Sequence, residues 1–203
     1  MTAFTPTNAG LLLAYSLVYF LVAFVWRSVH VWRTTGVNPM VLTADDSAYG
    51  YVGRGMRGVL LTWLALVVAA VAIPPLLASL GPLSALHRPA VGLLGWALLL
   101  GSLIWIAAAQ VAMGASWRIG IDRAVRTALV RTGPFAHSRN PIFLGMRANL
   151  LGLFLVLPNA VTLGMLIAGE LLMQVQVRLE EAHLQAMHGD AYTDYRRRVR
   201  RWL

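Results

Sequence analysis

The sequence predicts an all-α, polytopic integral membrane protein, with about five transmembrane helices in a single domain of residues 1–203. Hydrophobic residues make up 58% of the chain and charged residues only 12%, whereas a soluble domain usually carries about 25% charged residues. Three apolar segments, at about 9–31, 58–80 and 90–113, are each long enough to cross a bilayer. Cysteine is absent, which excludes disulfides and thiolate chemistry.

A helical hairpin supplies the fourth and fifth predicted helices. The apolar run from 142 to about 177 is too long for one crossing, and Pro158 and Asn159 interrupt it with a turn signal. We therefore expect one helix at about 142–157 and a second at about 160–177, and the first of the pair is short for a membrane span.

Two further features concern the first two segments. The first segment has no preceding basic residues, and Arg27 and Arg33 follow its apolar core, so we interpret it as a retained transmembrane helix rather than a signal peptide. Pro74 and Pro75 fall late in the second segment, where they are expected to kink or end the helix because proline lacks a backbone N–H.

The arginines indicate which side of the membrane each connection faces. All 17 basic residues are arginine, and the net charge is +9. They concentrate in the connections at 27–57 and 114–147 and in the tail from 178 onward, whereas the 81–89 loop holds only Arg88. Since basic loops stay on the cytoplasmic side, we expect the N-terminus outside and the C-terminus in the cytoplasm. Nucleic-acid binding explains this charge less well, because a basic footprint normally lies on a soluble face.

A polar, turn-rich stretch, GPFAHSRNPIFLG at 133–145, separates the third and fourth apolar segments. Gly133 and Pro134 predict a turn, and Asn140 and Pro141 predict a helix start, with asparagine as the cap and proline at the first helical position. The amides that open this helix could hold an anionic group. Flat side chains beside it come from Phe135, His137 and Phe143. A plain connecting loop at the membrane surface is the alternative.

The end of the fifth predicted helix carries two polar stripes at 100° per residue. The wider stripe contains Glu170, Gln174, Arg178 and Glu181, and the neighbouring one contains Gln176 and Glu180. Such groups are expected to face the bundle interior or a water-filled cavity rather than lipid. Alternatively, the acidic pair simply binds the arginine-rich tail. The spacing from Glu180 to His183 occurs in di-iron bundles, but those need two such motifs, so we expect no metal.

The two features, taken in order, resemble a known family. LVRTGPFAHSRNPIFLG at 129–145, followed by EEAHLQAMHGDAYTDYRRRV at 180–199, resembles the isoprenylcysteine carboxyl methyltransferase family of integral-membrane enzymes, which use S-adenosylmethionine. WRIGID at 117–122 is also similar to bacterial relatives. The match covers about 127–199, whereas residues 1–110 match in hydropathy alone.

The resemblance implies how the domain is organised and what it does. Residues 1–113 would supply three transmembrane helices, and residues 114–203 would form the connector, the hairpin and a cytoplasmic tail around the cofactor site. The implied reaction transfers a methyl group from S-adenosylmethionine to a lipophilic or small acceptor, which is a carboxylate, a thiol or an amine. The implied location is a bacterial inner membrane, with the lipid bilayer as partner and no nucleic acid.

The resemblance also assigns residues by position. The implied cofactor-binding residues are Leu129, Val130, Phe135, Asn140, Pro141, Phe143 and Glu180. The predicted catalytic residues on the acceptor side are Gln176, Arg178 and Glu181. Three positions depart from the family pattern in the cofactor site, with asparagine for histidine at 140 and phenylalanine for tyrosine at 135 and 143. A fourth departure is Gln176, which stands where the prenylcysteine enzymes carry an arginine that binds the substrate carboxylate, so it bears on the acceptor more than on the cofactor.

Two other functions remain open on the sequence. A membrane reductase related to the sterol reductases would use NADPH in a similar C-terminal half. A small proton-coupled transporter would use Glu170 as its coupling carboxylate, and it would need neither Glu180 nor the 133–145 stretch.

Overall fold

The computed structural model describes residues 6–38, 45–118 and 127–203, most of which are helical. The helices are α1 (Pro6–Phe20), α2 (Arg27–Thr35), α3 (Ala48–Ala72), α4 (Pro89–Met113), α5 (Pro141–Val156), α6 (Ala160–His188) and α7 (Asp190–Arg198). A π-helical turn at Leu21–Trp26 joins α1 to α2, and short 3-10 turns occupy the connections on either side of α4.

Four helical rods are long and apolar enough to cross a membrane, namely Thr7–Thr35, Ala48–Ala72, Pro89–Ser116 and Ala160–His188. The apolar helix α5 is shorter, with 16 residues. These elements confirm the predicted all-α, polytopic membrane fold, in which the fourth predicted helix is short. Within the described ranges, β pairing is limited to one isolated bridge between Pro82 and Asn159.

The second span starts earlier than predicted. It begins at Ala48 rather than at about 58, because Ser47 caps it by accepting a hydrogen bond from the amide of Gly50 at 3.2 Å. The following glycine- and arginine-containing turns are helical although they are not continuously apolar. The helix ends at Ala72, just before Pro74, which opens a 3-10 turn and confirms the predicted effect of the two prolines.

The predicted hairpin between α5 and α6 is confirmed, and side chains close it. Asn159 Oδ1 accepts hydrogen bonds from the amides of Val161, at 2.9 Å, and Thr162, at 3.0 Å. Thr162 Oγ1 in turn accepts from the Asn159 amide at 3.2 Å, which completes a capping box. α6 then runs to His188 rather than ending near 177, so both predicted polar stripes lie on one continuous helix.

Glycines bring α4 and α5 into backbone contact. A methyl group added to Gly95 would lie 2.9 Å from the amide nitrogen of Val156, and one added to Gly152 would lie 2.9 Å from the Gly95 carbonyl oxygen. Small residues of this kind let membrane helices approach closely. Trp105 Nε1 also donates a hydrogen bond to the Pro141 carbonyl at 2.8 Å. These contacts fix the start of α5 against α4.

A buried polar cluster ties the N-terminal helix to this pair. The Tyr15 hydroxyl lies within hydrogen-bond distance of the Leu99 carbonyl oxygen, at 2.9 Å, and of Asn149 Oδ1. Ser102 Oγ donates to the same Asn149 oxygen at 3.2 Å. Hydrogen bonds in such a low-dielectric interior are strong, so α1, α4 and α5 form one framework beneath the polar end of the bundle.

Candidate active site at the polar end of the bundle

The 133–141 loop is held in place at both of its sides. Gly133 has a φ of +60°, which favours glycine, and it opens a 3-10 turn at Gly133–Ala136 that packs beside Ala112 of α4. On the other side, the Tyr195 hydroxyl of α7 donates to the Phe135 carbonyl at 2.7 Å. Burial raises the pKa of Tyr195 to about 12, so this hydroxyl stays protonated and can donate.

Asn140 precedes α5 as predicted, but the predicted side-chain cap is wrong. Pro141 occupies the first helical position, whereas the Asn140 side chain makes no cap hydrogen bond. Its Nδ2 instead donates to Glu181 Oε1 at 3.0 Å and to the Arg201 carbonyl at 3.3 Å. The physical reason is that a buried carboxylate accepts a stronger, charge-assisted hydrogen bond than its neutral partners would. The first-turn amides of α5 are therefore left without a side-chain cap.

Glu181 is the most fully bonded carboxylate in the described part of the chain. It is 5% exposed. Arg139 donates to it from Nε at 3.2 Å and from Nη2 at 3.1 Å, and Arg201 donates from Nε at 3.1 Å and from Nη2 at 2.8 Å. With the Asn140 bond, three side chains converge on this one group. The structure thus brings Glu181 together with the tail, as one of the two sequence interpretations expected.

Glu180 lies one residue earlier and has a different environment. Gln176 Nε2 donates to Glu180 Oε1 at 3.2 Å, so the two residues of this stripe are in contact. In the described part of the chain, this is the one hydrogen bond that Glu180 makes. An ionised carboxylate can accept about four hydrogen bonds, so Glu180 retains capacity for a ligand.

The wider predicted stripe divides into two parts. Glu170 Oε2 accepts from Arg147 Nε at 2.6 Å, and Glu170 Oε1 accepts from Gln174 Nε2 at 2.7 Å. Arg178 Nη1 continues the series by donating to Gln174 Oε1 at 2.8 Å. Glu181 does not join this series, because its oxygens face Arg139 and the tail. Both Arg147 and Arg178 bond to this series rather than to Gln176.

The remaining predicted residues lie around the loop. Leu129 and Val130 are half-buried just before the turn, and the half-buried ring of Phe143 packs against the hydrophobic core. Residues 119–122 of the WRIGID motif, like the topology-setting Arg123 and Arg126, lie outside the described residues.

Sequence reasoning missed two residues of this site, Arg139 and Arg201. The only available signal was a basic residue beside Asn140 and a basic tail. That signal could not select one of several tail arginines as the partner of Glu181.

These features define a polytopic helical membrane protein with a candidate polar site at one end of the bundle. The family model described as phospholipid methyltransferase matches residues 90–191. The chain therefore belongs to this family of membrane methyltransferases, which confirms the predicted resemblance at that level. The matched region runs from α4 into α7, and it includes the 133–141 loop and both glutamates of the acidic pair. Searches of curated proteins and of solved structures found no match.

Proposed function

We propose that this membrane methyltransferase transfers a methyl group from S-adenosylmethionine to a lipophilic or small acceptor, at the end of the bundle that carries the 133–141 loop. The observation that carries the proposal is the environment of Glu180, a carboxylate with one hydrogen bond among the described residues. Glu180 is next in the chain to Glu181, which bonds to Asn140 at the start of α5. The Asn140–Glu181 bond, at 3.0 Å, holds that start at the level of the acidic pair. In this proposal, the loop and the tail face the cytoplasm of a bacterial cell.

The residues present fit the cofactor by their chemistry. Glu180 can accept hydrogen bonds from ribose hydroxyls or from an ammonium group. The uncapped first-turn amides of α5, after Pro141, suit the cofactor carboxylate because a helix N-terminus attracts anions. Phe135 and Phe143 offer rings for an adenine. Backbone contacts from Leu129 and Val130, and packing by Asn140, would complete the proposed site.

The protein's main tasks in this chemistry are alignment and exclusion of water. When bound, S-adenosylmethionine would supply an activated methyl group for an unprotonated acceptor, with S-adenosylhomocysteine as the leaving group. The residues must hold donor and acceptor in line and keep bulk water away. Of the three predicted catalytic residues, Gln176 lies on the same stripe as Glu180, so we propose that its amide contacts the acceptor. Arg178 and Glu181 would not contact the reacting atoms, and they would act through the residues to which they bond.

The acceptor is proposed to be lipophilic, reaching the site from the bilayer. The family description names phospholipids, and exposed apolar residues surround the outer face of α6, including Ile167, Leu171 and Val175. Gln176 carries no charge for a carboxylate, so an amine-bearing lipid is the first acceptor to test. A transferred methyl group would then be found on the amine nitrogen.

The test is S-adenosylhomocysteine binding to the detergent-purified protein, measured by isothermal titration calorimetry. Glu180→Ala is expected to abolish binding while the helical content stays unchanged. Glu170→Ala is the matched control, because it removes a carboxylate from the same helix but from the other stripe. Near-normal binding by folded Glu180→Ala would refute the assignment. Binding of NADPH in place of S-adenosylhomocysteine would favour a reductase, and proton-driven flux that requires Glu170 would favour a transporter.

A further inference from the structure

The C-terminal segment Arg196–Trp202, here called the strap, crosses the loop just before α5. Its backbone carbonyls accept hydrogen bonds from three consecutive loop residues, Ser138, Arg139 and Asn140. The Arg139 amide donates to the Arg200 carbonyl at 2.9 Å, and Arg139 Nη1 donates to the Val199 carbonyl at 2.9 Å. Ser138 Oγ donates to the Arg201 carbonyl at 3.2 Å. The strap and the loop are therefore joined along their length, although they lie about 60 residues apart in the chain.

Glu181 joins the strap and the loop to α6. Its carboxylate forms one ion pair with Arg139 of the loop, at 3.1 Å, and one with Arg201 of the strap, at 2.8 Å. Only 7% of the Glu181 side chain and 10% of the Arg139 side chain are exposed. Buried ions need such partners, because removing one partner leaves the others uncompensated. The hydrogen bond to Glu181 also raises the pKa of Arg201, so the strap keeps its charge.

The far end of the strap has a second attachment. The Arg147 guanidinium of α5 lies over the Trp202 ring, 4.3 Å from its centroid, within range of a cation–π contact. Arg147 also pairs with Glu170 at 2.6 Å. The strap is therefore held at two points, one beside the acidic pair and one along the outer side of α5.

Glu181 and Glu180 face different surroundings, since consecutive helical residues are about 100° apart. The oxygens of Glu181 are occupied by Arg139, Arg201 and Asn140, whereas Glu180 bonds to Gln176 alone among the described residues. A carboxylate that is bonded to three neighbouring side chains has little capacity left for a substrate. The geometry of Glu181 suits a residue that holds neighbouring segments in place, rather than one that contacts the reacting atoms.

We infer that Glu181 is a positioning residue, and that it fastens the strap over the loop so that the first turn of α5 stands beside Glu180. The inference rests on the proposed function, because the position of α5 that Glu181 sets would affect activity through the bound cofactor. In this inference the strap lines one side of the cofactor site, and Arg201 is the tail residue that attaches the strap to Glu181.

The experiment compares Arg201→Ala and Arg201→Lys with the control Arg197→Ala. Arg197 lies on the same tail, but its side chain is 76% exposed, and its one ion pair among the described residues is with Asp194 on its own helix. Arg201→Ala is expected to weaken S-adenosylhomocysteine binding about tenfold or more, because it deprives the buried Glu181 carboxylate of one of its two cationic partners. The affinity of Arg201→Lys should lie between those of Arg201→Ala and the wild type, since lysine keeps the charge but cannot form the bidentate pair. Arg197→Ala should bind within about twofold of the wild type.

A second readout separates positioning from simple loss of stability. Ethylguanidinium added to Arg201→Ala should restore part of the binding, and hydrogen exchange should rise in the 133–141 loop of this variant while the α4 amides stay protected. Unchanged binding and unchanged loop exchange in Arg201→Ala would overturn the inference. Weakened binding that follows a general rise in exchange, without rescue, would also overturn it. If the wild type itself fails to bind S-adenosylhomocysteine, the proposed function fails, and the loop exchange alone then decides whether the strap positions α5.

Discussion

The two polar faces at the end of α6 differ in how many bonds their carboxylates already make. On one face, Glu181 is buried and accepts hydrogen bonds from Arg139, Arg201 and Asn140. On the other face, Glu180 accepts one hydrogen bond, from Gln176, in the described part of the chain. Two neighbouring residues of the same type can therefore have two separate roles. A carboxylate with all its partners in the protein organises the fold, and one with spare capacity is suited to a ligand.

The largest expected effect comes from removing the Glu181 carboxylate, which accepts hydrogen bonds from three side chains. Glu181→Ala should lower the free energy of unfolding by about 3–5 kcal/mol, because Arg139 and Arg201 would be left close together without a counter-charge. Thermal unfolding in detergent, followed by circular dichroism, measures this loss. Glu180→Ala serves as the control and should cost about 1 kcal/mol, since it removes a single hydrogen bond. Equal losses in the two variants would contradict the comparison.

The next largest effect is expected at Glu180, the carboxylate that accepts one hydrogen bond. Glu180→Gln keeps the shape of the side chain and removes its charge, so the protein should unfold at nearly the wild-type temperature. S-adenosylhomocysteine binding should weaken about tenfold or more, because hydrogen bonds to charged groups are worth about 1.5–3 kcal/mol. Calorimetric titration of both proteins at equal concentration checks the affinity. Wild-type affinity in the variant would mean that the charge of Glu180 has no part in binding.

A third effect is expected when a positive charge is placed beside Glu180. Gln176→Arg introduces the residue that the prenylcysteine enzymes carry there, one helical turn before Glu180. We expect cofactor affinity to change by less than about fivefold and acceptor use to shift towards carboxylates, since arginine binds a carboxylate through two parallel hydrogen bonds. The rates of methyl transfer from labelled donor to a prenylcysteine and to an amine-bearing lipid give the ratio of carboxylate to amine methylation. An unchanged ratio would show that Gln176 does not contact the acceptor.

The smallest expected effect lies on the outer stripe of α6. The Arg147–Glu170 pair is about one-third exposed on each side, so Glu170→Gln should change the free energy of unfolding by at most about 1 kcal/mol. Cofactor binding should match the wild type. The same titration and unfolding measurements check both values. A large loss of cofactor binding here would show that the site extends along this stripe, beyond the face of Glu180.

Two asparagines show how much of the local structure could be predicted from sequence. Both precede a helix, and both helices start where the sequence predicts. Asn159 caps α6 with its own side chain, whereas Asn140 turns away from α5 and donates to Glu181, which lies 41 residues further along the chain. Local rules cover the first case because every partner is within three residues. They cannot cover the second case, because the competing acceptor comes from another helix.

Sequence alone was enough to locate the apolar helices and the hairpin and to assign Glu180 and Glu181 to different faces of α6, although it misplaced the start of α3 and the end of α6. Hydropathy, proline chemistry and the helical repeat act over a few residues, so they can be applied without knowing the fold. The packing of the helices was needed to show that Arg139 and Arg201, among 17 arginines, neutralise Glu181, and that Glu180 keeps capacity for further hydrogen bonds. The physical reason is that ion pairs and buried hydrogen bonds depend on distances between elements, and those distances are set by how α4, α5, α6 and the strap pack together.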